Sequence, residues 1–177
     1  MSFSSGSVST SISWTSQTSN GPVAAVESGG AGQSDSFAPV SDGDPAEHGL
    51  ADLAYATQVE IAIGDYVDID LTDLTNGLGE PVVFARVKAI QVRHLGDVDG
   101  EYQLDSQVAV GNAPTDVFSG PFGDVDTSVA LIFPAGIILL ASGLGGWPVD
   151  SSKRSLRISN TGASIVIVEL SILGAAS

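Results

Sequence analysis

The chain contains no cysteine. Disulfides, thiolate nucleophiles and cysteine-held zinc or iron–sulfur centres are thereby excluded. Basic residues are scarce: 6 Lys and Arg stand against 21 Asp and Glu, a formal net charge of −15, and none of the six precedes Arg86. A chain this acidic is not expected to wrap nucleic acid, whose phosphates are held by Lys and Arg. It is equally unsuited to an anionic membrane surface. Long apolar runs are missing as well. The longest, residues 129–141, is interrupted by Pro134 and Gly136 and falls short of the roughly 20 residues that span a bilayer. The opening Met1-Ser2-Phe3-Ser4-Ser5-Gly6 has neither the basic nor the apolar part of a secretory signal, so no export signal is expected.

What is present divides in two. Residues 1–50 are rich in Ser, Thr, Gly and Pro without a helical period, and they read as an extended arm before a domain at 51–177. Ser28-Gly29-Gly30-Ala31-Gly32 and Ser41-Asp42-Gly43-Asp44-Pro45 are linker or turn signals. The plain reading of this arm is a disordered tail and the functional one an arm that orders on a partner; Phe3, Ile12 and Trp14, of little use to a solvated tail, are the candidate anchors of the second. Ile12 and Trp14 would share one face of an extended chain. Fully extended, the arm could reach on the order of 150 Å, enough to touch a neighbouring subunit.

The domain reads as all-β. In Tyr66-Val67-Asp68-Ile69-Asp70-Leu71 apolar and acidic residues alternate, the mark of a half-buried strand. Asn76-Gly77 in the segment after it predicts a turn with positive φ. Val83, Ala85, Val87 and Ala89 make an apolar face opposite Arg86 and Lys88, and the parity flips at Ile90 and Val92, where a β-bulge would restore it. Strands are expected at 107–110, 129–133, 137–141, 156–159 and 164–173, the last a central strand or one that meets a neighbour, with turns at Gly96–Gly100, Pro134-Ala135-Gly136 and Asn160-Thr161-Gly162. A helix is expected only across 45–55, where Asp44-Pro45-Ala46-Glu47 resembles an N-cap followed by proline. Many short strands with turns between them predict a sandwich or barrel.

Several motifs carry a chemical reading beside a plainer one. Asp68-Ile69-Asp70-Leu71-Thr72 matches the D-x-D-x-T of haloacid-dehalogenase-type phosphatases, in which one Asp attacks phosphorus and the other handles a proton. That machinery needs an α/β sheet, so two outward acids on an alternating strand explain the match better. Asp65, Asp68, Asp70 and Asp73 could offer oxygens to Ca²⁺, yet the order departs from an EF-hand. An acidic edge that discourages wrong strand pairing is the plainer account. Asp97, Asp99 and Glu101 form a second acidic loop. The two histidines are His48 and His94. No serine lies in a G-x-S-x-G elbow, and His94 with Asp97 reads as a strand-end polar pair. Gly143-Leu144-Gly145-Gly146 lacks the strand–helix setting of a phosphate loop. The bases Arg86, Lys88, Arg93, Lys153, Arg154 and Arg157 read as surface charges or as partners for acids on the same chain.

The segments Asp68-Ile69-Asp70-Leu71-Thr72-Asp73-Leu74-Thr75-Asn76-Gly77-Leu78-Gly79 and Val83-Phe84-Ala85-Arg86-Val87-Lys88-Ala89-Ile90-Gln91-Val92-Arg93 carry a resemblance. So do Val110-Gly111-Asn112-Ala113, Phe118-Ser119-Gly120-Pro121-Phe122, Pro134-Ala135-Gly136, Gly146-Trp147-Pro148-Val149, Leu156-Arg157-Ile158-Ser159-Asn160-Thr161-Gly162 and Ile172-Leu173-Gly174. In this order they resemble small structural proteins of tailed-bacteriophage virions, of the head-decoration or minor-capsid kind. The resemblance covers roughly the whole β domain but not the acidic, Ser-rich arm. It implies a jelly-roll-like β-sandwich, no catalytic residues, no cofactor and no metal. It also implies binding to a major capsid protein, homo-oligomerisation with a trimer fitting a three-fold capsid position, and a place on the capsid exterior after assembly in the host cytoplasm. Two other functions are open at this point: a tail, baseplate or fibre adaptor, and a glycan-binding module stacking sugars on Trp14, Trp147, Tyr66 or Tyr102.

Overall fold

A computed structural model of the chain describes residues 6–18, 25–37, 51, 53–77, 79–101, 103, 105–123, 127–142 and 145–176. The anchor candidate Phe3, the histidine His48, Tyr102, Gly143 with Leu144, and the turn at 41–45 lie outside the described residues. Within the arm, β1 (Gly6–Thr18) and β2 (Ala25–Phe37) pair antiparallel, with Ile12 opposite Ala31 and Trp14 opposite Gly29. The arm therefore doubles back. Ser28–Gly32, expected as a linker, is the middle of β2. The Val, Ile, Thr and Trp content of β1 favours a strand, and pairing satisfies backbone groups that a lone run would leave to water. Each strand is about 43 Å long at 3.3 Å per residue, which bounds the reach well below that of one continuous run.

Two further sheets make the domain. The strands are β3 (Leu53–Ile61), β4 (Tyr66–Asp70), β5 (Leu74–Thr75), β6 (Pro81–Val82), β7 (Arg86–Asp97), β8 (Val108–Gly111), β9 (Val129–Ile132), β10 (Ile137–Ala141), β11 (Trp147–Pro148), β12 (Ser155–Asn160) and β13 (Val166–Ala175). One sheet runs β10-β7-β13-β3, with β11 also on β7, and the other runs β4-β12-β8-β9. Their inward residues form one core: Ile61, Val87, Ile90, Val92, Val166, Val168, Leu170 and Ile172 from the first sheet, and Ile69, Val108, Val110, Ile132, Leu156 and Ile158 from the second. Two antiparallel sheets enclosing a shared apolar layer are a β-sandwich. The expected all-β class is what is observed.

The expected helix across 45–55 is replaced, where described, by the start of β3. Leu53, Tyr55, Thr57 and Val59 alternate with exposed Ala54, Ala56, Gln58 and Glu60, and this period of two pairs β3 with β13 along nine residues. That gain exceeds what a short capped helix could offer. The Asn76 turn differs in detail. It joins β5 to β6, and positive φ falls on Gly79 (80°) rather than Gly77. The Asn76 carboxamide accepts from the Glu80 N–H (2.9 Å) and donates to its carboxylate (3.0 Å).

The expected face through Val83 and Ala85 is not formed. Val83 is exposed and Phe84 is buried, because β7 begins only at Arg86. The parity flip is real and its cause sits at Lys88. Leu173 pairs with Ala89 and Gly174 with Val87, so Lys88 has no opposite number on β13. This bulge lets Val87 and then Ile90 and Val92 all face inward. Lys88, expected outside, is fully buried, and a Cβ on Gly146 would lie 2.9 Å from its Cδ. A second shift leaves Leu95 unopposed. The bulge brings Gly174 against the neighbouring chain: a Cβ there would collide with the Arg86 carbonyl oxygen and lie 2.6 Å from the Phe84 ring.

β9 and β10 flank the expected turn, but it carries the chain from one sheet to the other. The Gly136 N–H donates to the Phe133 carbonyl (2.8 Å) and Ala135 has φ of +60°. This position favours glycine.

Two stability measurements follow from these positions. Gly174→Ala should lower unfolding stability by about 2–3 kcal/mol, since backbone blocks relief of the overpacking. Ala135→Gly should raise it by about 0.5–1 kcal/mol by removing left-handed strain. Denaturant melts with unchanged slope would read both.

Candidate interaction surface

The residues that suggested chemistry are engaged with one another. On β4, Asp68 stands directly opposite Arg157 of β12, and the guanidinium donates to both carboxylate oxygens at 2.7 Å. The same guanidinium lies 3.5 Å from the centre of the Tyr66 ring, a cation–π contact. Asp70 accepts from the Thr72 N–H (2.9 Å) and hydroxyl (2.6 Å), and its other oxygen meets Arg154 at 3.2 Å. Burial pushes the Asp70 carboxyl upward, but the two Thr72 hydrogen bonds and Arg154 outweigh it and leave it below the usual value. The D-x-D-x-T match is thus a strand end closed by Thr72. Arg154 also reaches Asp116 at 3.4 Å. No cluster of three or more metal-ligating side chains occurs among the described residues.

His94 is 2% exposed and Ser106 fully buried. The Gly96 N–H donates to Nδ1 at 3.0 Å, so Nδ1 is an acceptor and Nε2 carries the proton, which it presents to Ser106 Oγ at 3.3 Å. A catalytic base needs its lone pair toward the serine; here it points to the backbone. Asp97 was the expected partner, but its Oδ1 instead accepts from the N–H groups of Asp99 (3.1 Å) and Glu101 (2.8 Å), shaping the turn. The acidic loop 97–101 is held this way.

Asn160 plays a comparable part that sequence reasoning missed. Its amide donates to the carbonyls of Ile61 (3.0 Å) and Ser164 (2.7 Å) and accepts from the Gly162 N–H (2.9 Å). A Cβ on Gly162 would lie 2.5 Å from Ser106 Cα. The signal was the Asn-x-Gly itself. Arg93 pairs with Glu169 at 3.3 Å, and Arg86 donates to the Gly145 carbonyl at 3.1 Å. Most of the bases are accordingly spent within the chain. Trp147 is half-buried with its side chain against Gly120.

What remains open is at the sheet edges. β3 and β4, joined by a short turn, end their sheets on one side and carry Glu60, Asp68 and Asp70. β9 and β10 end the same two sheets on the other side. Val129, Leu131, Phe133 and Ile137 there are 46–56% exposed, and residues 127–149 contain no charged side chain. Elsewhere a groove of about 420 Å³ lies along β3 and β13, lined by Ala54, Tyr55, Ala56, Asn76, Gly77, Ser171, Ile172 and Leu173.

No protein-family model matches the chain, and no curated protein matches it. Among solved structures it is similar to BH2720 from Bacillus halodurans, with TM-score 0.35 and 10% identity over 68% of this chain and 62% of that one. The chain spans less than two thirds of that protein, and the likeness is too distant to speak to function.

Two measurements test these contacts. Burial holds the His94 pKa below 6.5, against opposing effects of Ser106 and the Asp97 charge. The unfolded chain therefore takes up a proton near pH 6.5 that the folded one refuses. Stability should fall as pH drops below 6.5, by at most about 1.4 kcal/mol per unit, until the folded His94 itself titrates. His94→Gln should flatten that segment of the curve. Arg157→Ala should cost about 1 kcal/mol at low salt and less at high salt.

Proposed function

We propose that the chain is a bacteriophage virion structural protein, a capsid decoration or cement protein that binds the major capsid lattice and stabilises the head from outside. The observation that carries this reading is the ordered run of short motifs between Asp68 and Gly174. Several of them fall where the sandwich admits little substitution: Gly146 beneath Lys88, Gly162 against Ser106, Gly174 against Arg86. The strand order also supports a jelly roll. Counting only the eight strands of the two sheet paths in chain order, the sheets read 6-3-8-1 and 2-7-4-5. Viral capsid and lectin domains use that architecture.

Between those two uses, the aromatics favour the virion. Tyr66, a candidate sugar platform, already has a guanidinium on its ring, and Trp147 sits against Gly120. On a particle, many equivalent copies convert weak single contacts into firm attachment. The β1–β2 hairpin, bearing Ile12 and Trp14, is the segment we assign to neighbouring subunits, with homo-oligomers, trimers at three-fold positions, as the bound form.

Purified chain mixed with heads lacking it should co-sediment in hundreds of copies and raise their resistance to heat. Deleting residues 2–40 should lower occupancy. Density on the tail or baseplate in place of the head would replace decoration with an adaptor role. Unchanged occupancy together with unchanged particle stability would retire the hairpin's part.

A further inference from the structure

The four outer strands of the sandwich are not treated alike. A free strand edge invites pairing with another chain unless charge, proline or a bulge blocks it. β3 and β4 carry Glu60, Asp68 and Asp70. β9 is Val-Ala-Leu-Ile, with neither charge nor proline within it, and among the described strands it has β8 on one side and nothing on the other. Its outward side chains Val129 and Leu131, with Phe133 just beyond, are each about half exposed.

We propose that β9 pairs with β9 of a second copy of this chain, antiparallel about a two-fold axis at Leu131. Three observations select that occupant. A net charge of −15 makes two copies repel over most of their surfaces, and the uncharged stretch 127–149 is where that repulsion is least. The edge is self-complementary in register: with Leu131 opposite Leu131, Val129 meets Phe133 and Ala130 meets Ile132. Opposed residues must share a face, and they do: 129, 131 and 133 are exposed, while Ala130 is half-buried and Ile132 buried. Finally, the opposite edge of the same sheet carries acids already held by Arg157 and Arg154, so the sheet is blocked at one end only. The four-stranded sheet becomes an eight-stranded one, and Val129, Leu131 and Phe133 pack across the seam. This dimer is the form of the free chain in solution, separate from the trimer proposed for the capsid-bound form, and it stands independently of any capsid.

The absence of cysteine makes the register testable. Leu131→Cys should form a disulfide-linked dimer on mild oxidation, because opposed Cα atoms about 4.5–5.5 Å apart lie within disulfide reach. Val129→Cys alone should not, its copies being about 13 Å apart, but should crosslink when mixed with Phe133→Cys. The unmodified full chain should have the native mass of two copies, and Leu131→Lys that of one with an unchanged far-UV spectrum. Should the lysine variant fail to fold, the cysteine pattern still decides. A monomeric or trimeric mass, or Val129→Cys linking to itself as readily as Leu131→Cys, overturns the proposal.

Discussion

The core of the larger sheet depends on the parity of one strand. Side chains on a strand alternate strictly, so β7 could not present both Val87 and the pair Ile90 and Val92 to the same side without an added residue. Lys88 is that residue. Its insertion draws β7 toward β13 where the backbone of Arg86 meets Gly174, and only a residue without a Cβ fits there. Lys88 is fully buried beside Gly146, which itself has φ of +78°. Bulge, buried lysine and two glycines are one construction, and it sets which β7 side chains, Val87, Ile90 and Val92, join the shared core.

Charge is arranged around this frame with a clear division. Acids outnumber bases by 15, yet Arg93, Arg154 and Arg157 sit on Glu169, Asp70 with Asp116, and Asp68. Exposed pairs of this sort contribute about 0.2–1 kcal/mol each, too little to hold the fold. Their larger effect is to fix where acids stand: on β4, at an edge where a further strand would otherwise add. The side bounded by β9 and β10 has no counterpart to them.

Much of this was legible in the residues. The strands at 66–70 and 155–160 announce themselves by alternation, β13 by its β-branched apolar run, and the turns at Gly96–Gly100 and Asn160–Gly162 by their residue types. Three things were not legible, each for a physical reason. The start of β3 carries a helix-like preceding cap, and its pairing with β13 is a long-range gain that local propensity does not register. The bulge was readable as a parity change but not as a position, because Lys88 by composition belongs outside. The two apolar runs around Pro134-Ala135-Gly136 read as two strands joined by a turn. That the turn passes between sheets, leaving both strands as edges, is a property of topology alone.

The reactive-looking groups show where the molecule has spare capacity. A residue able to catalyse must keep a lone pair, a proton or a coordination position free for something that arrives. His94 spends one nitrogen on Gly96 and faces buried Ser106 with the other. Asp68 gives both oxygens to Arg157. Asp70 divides its own between Thr72 and Arg154, and Asn160 uses both ends of its amide. Among the described residues these networks are closed, and closed polar networks rigidify a fold. The buried hydroxyls of Ser119 and Ser164 have no hydrogen-bond partner among those residues, while the outer margin of β9 is an open strand edge beside apolar side chains held at half exposure. A surface of that kind gains free energy by meeting another surface.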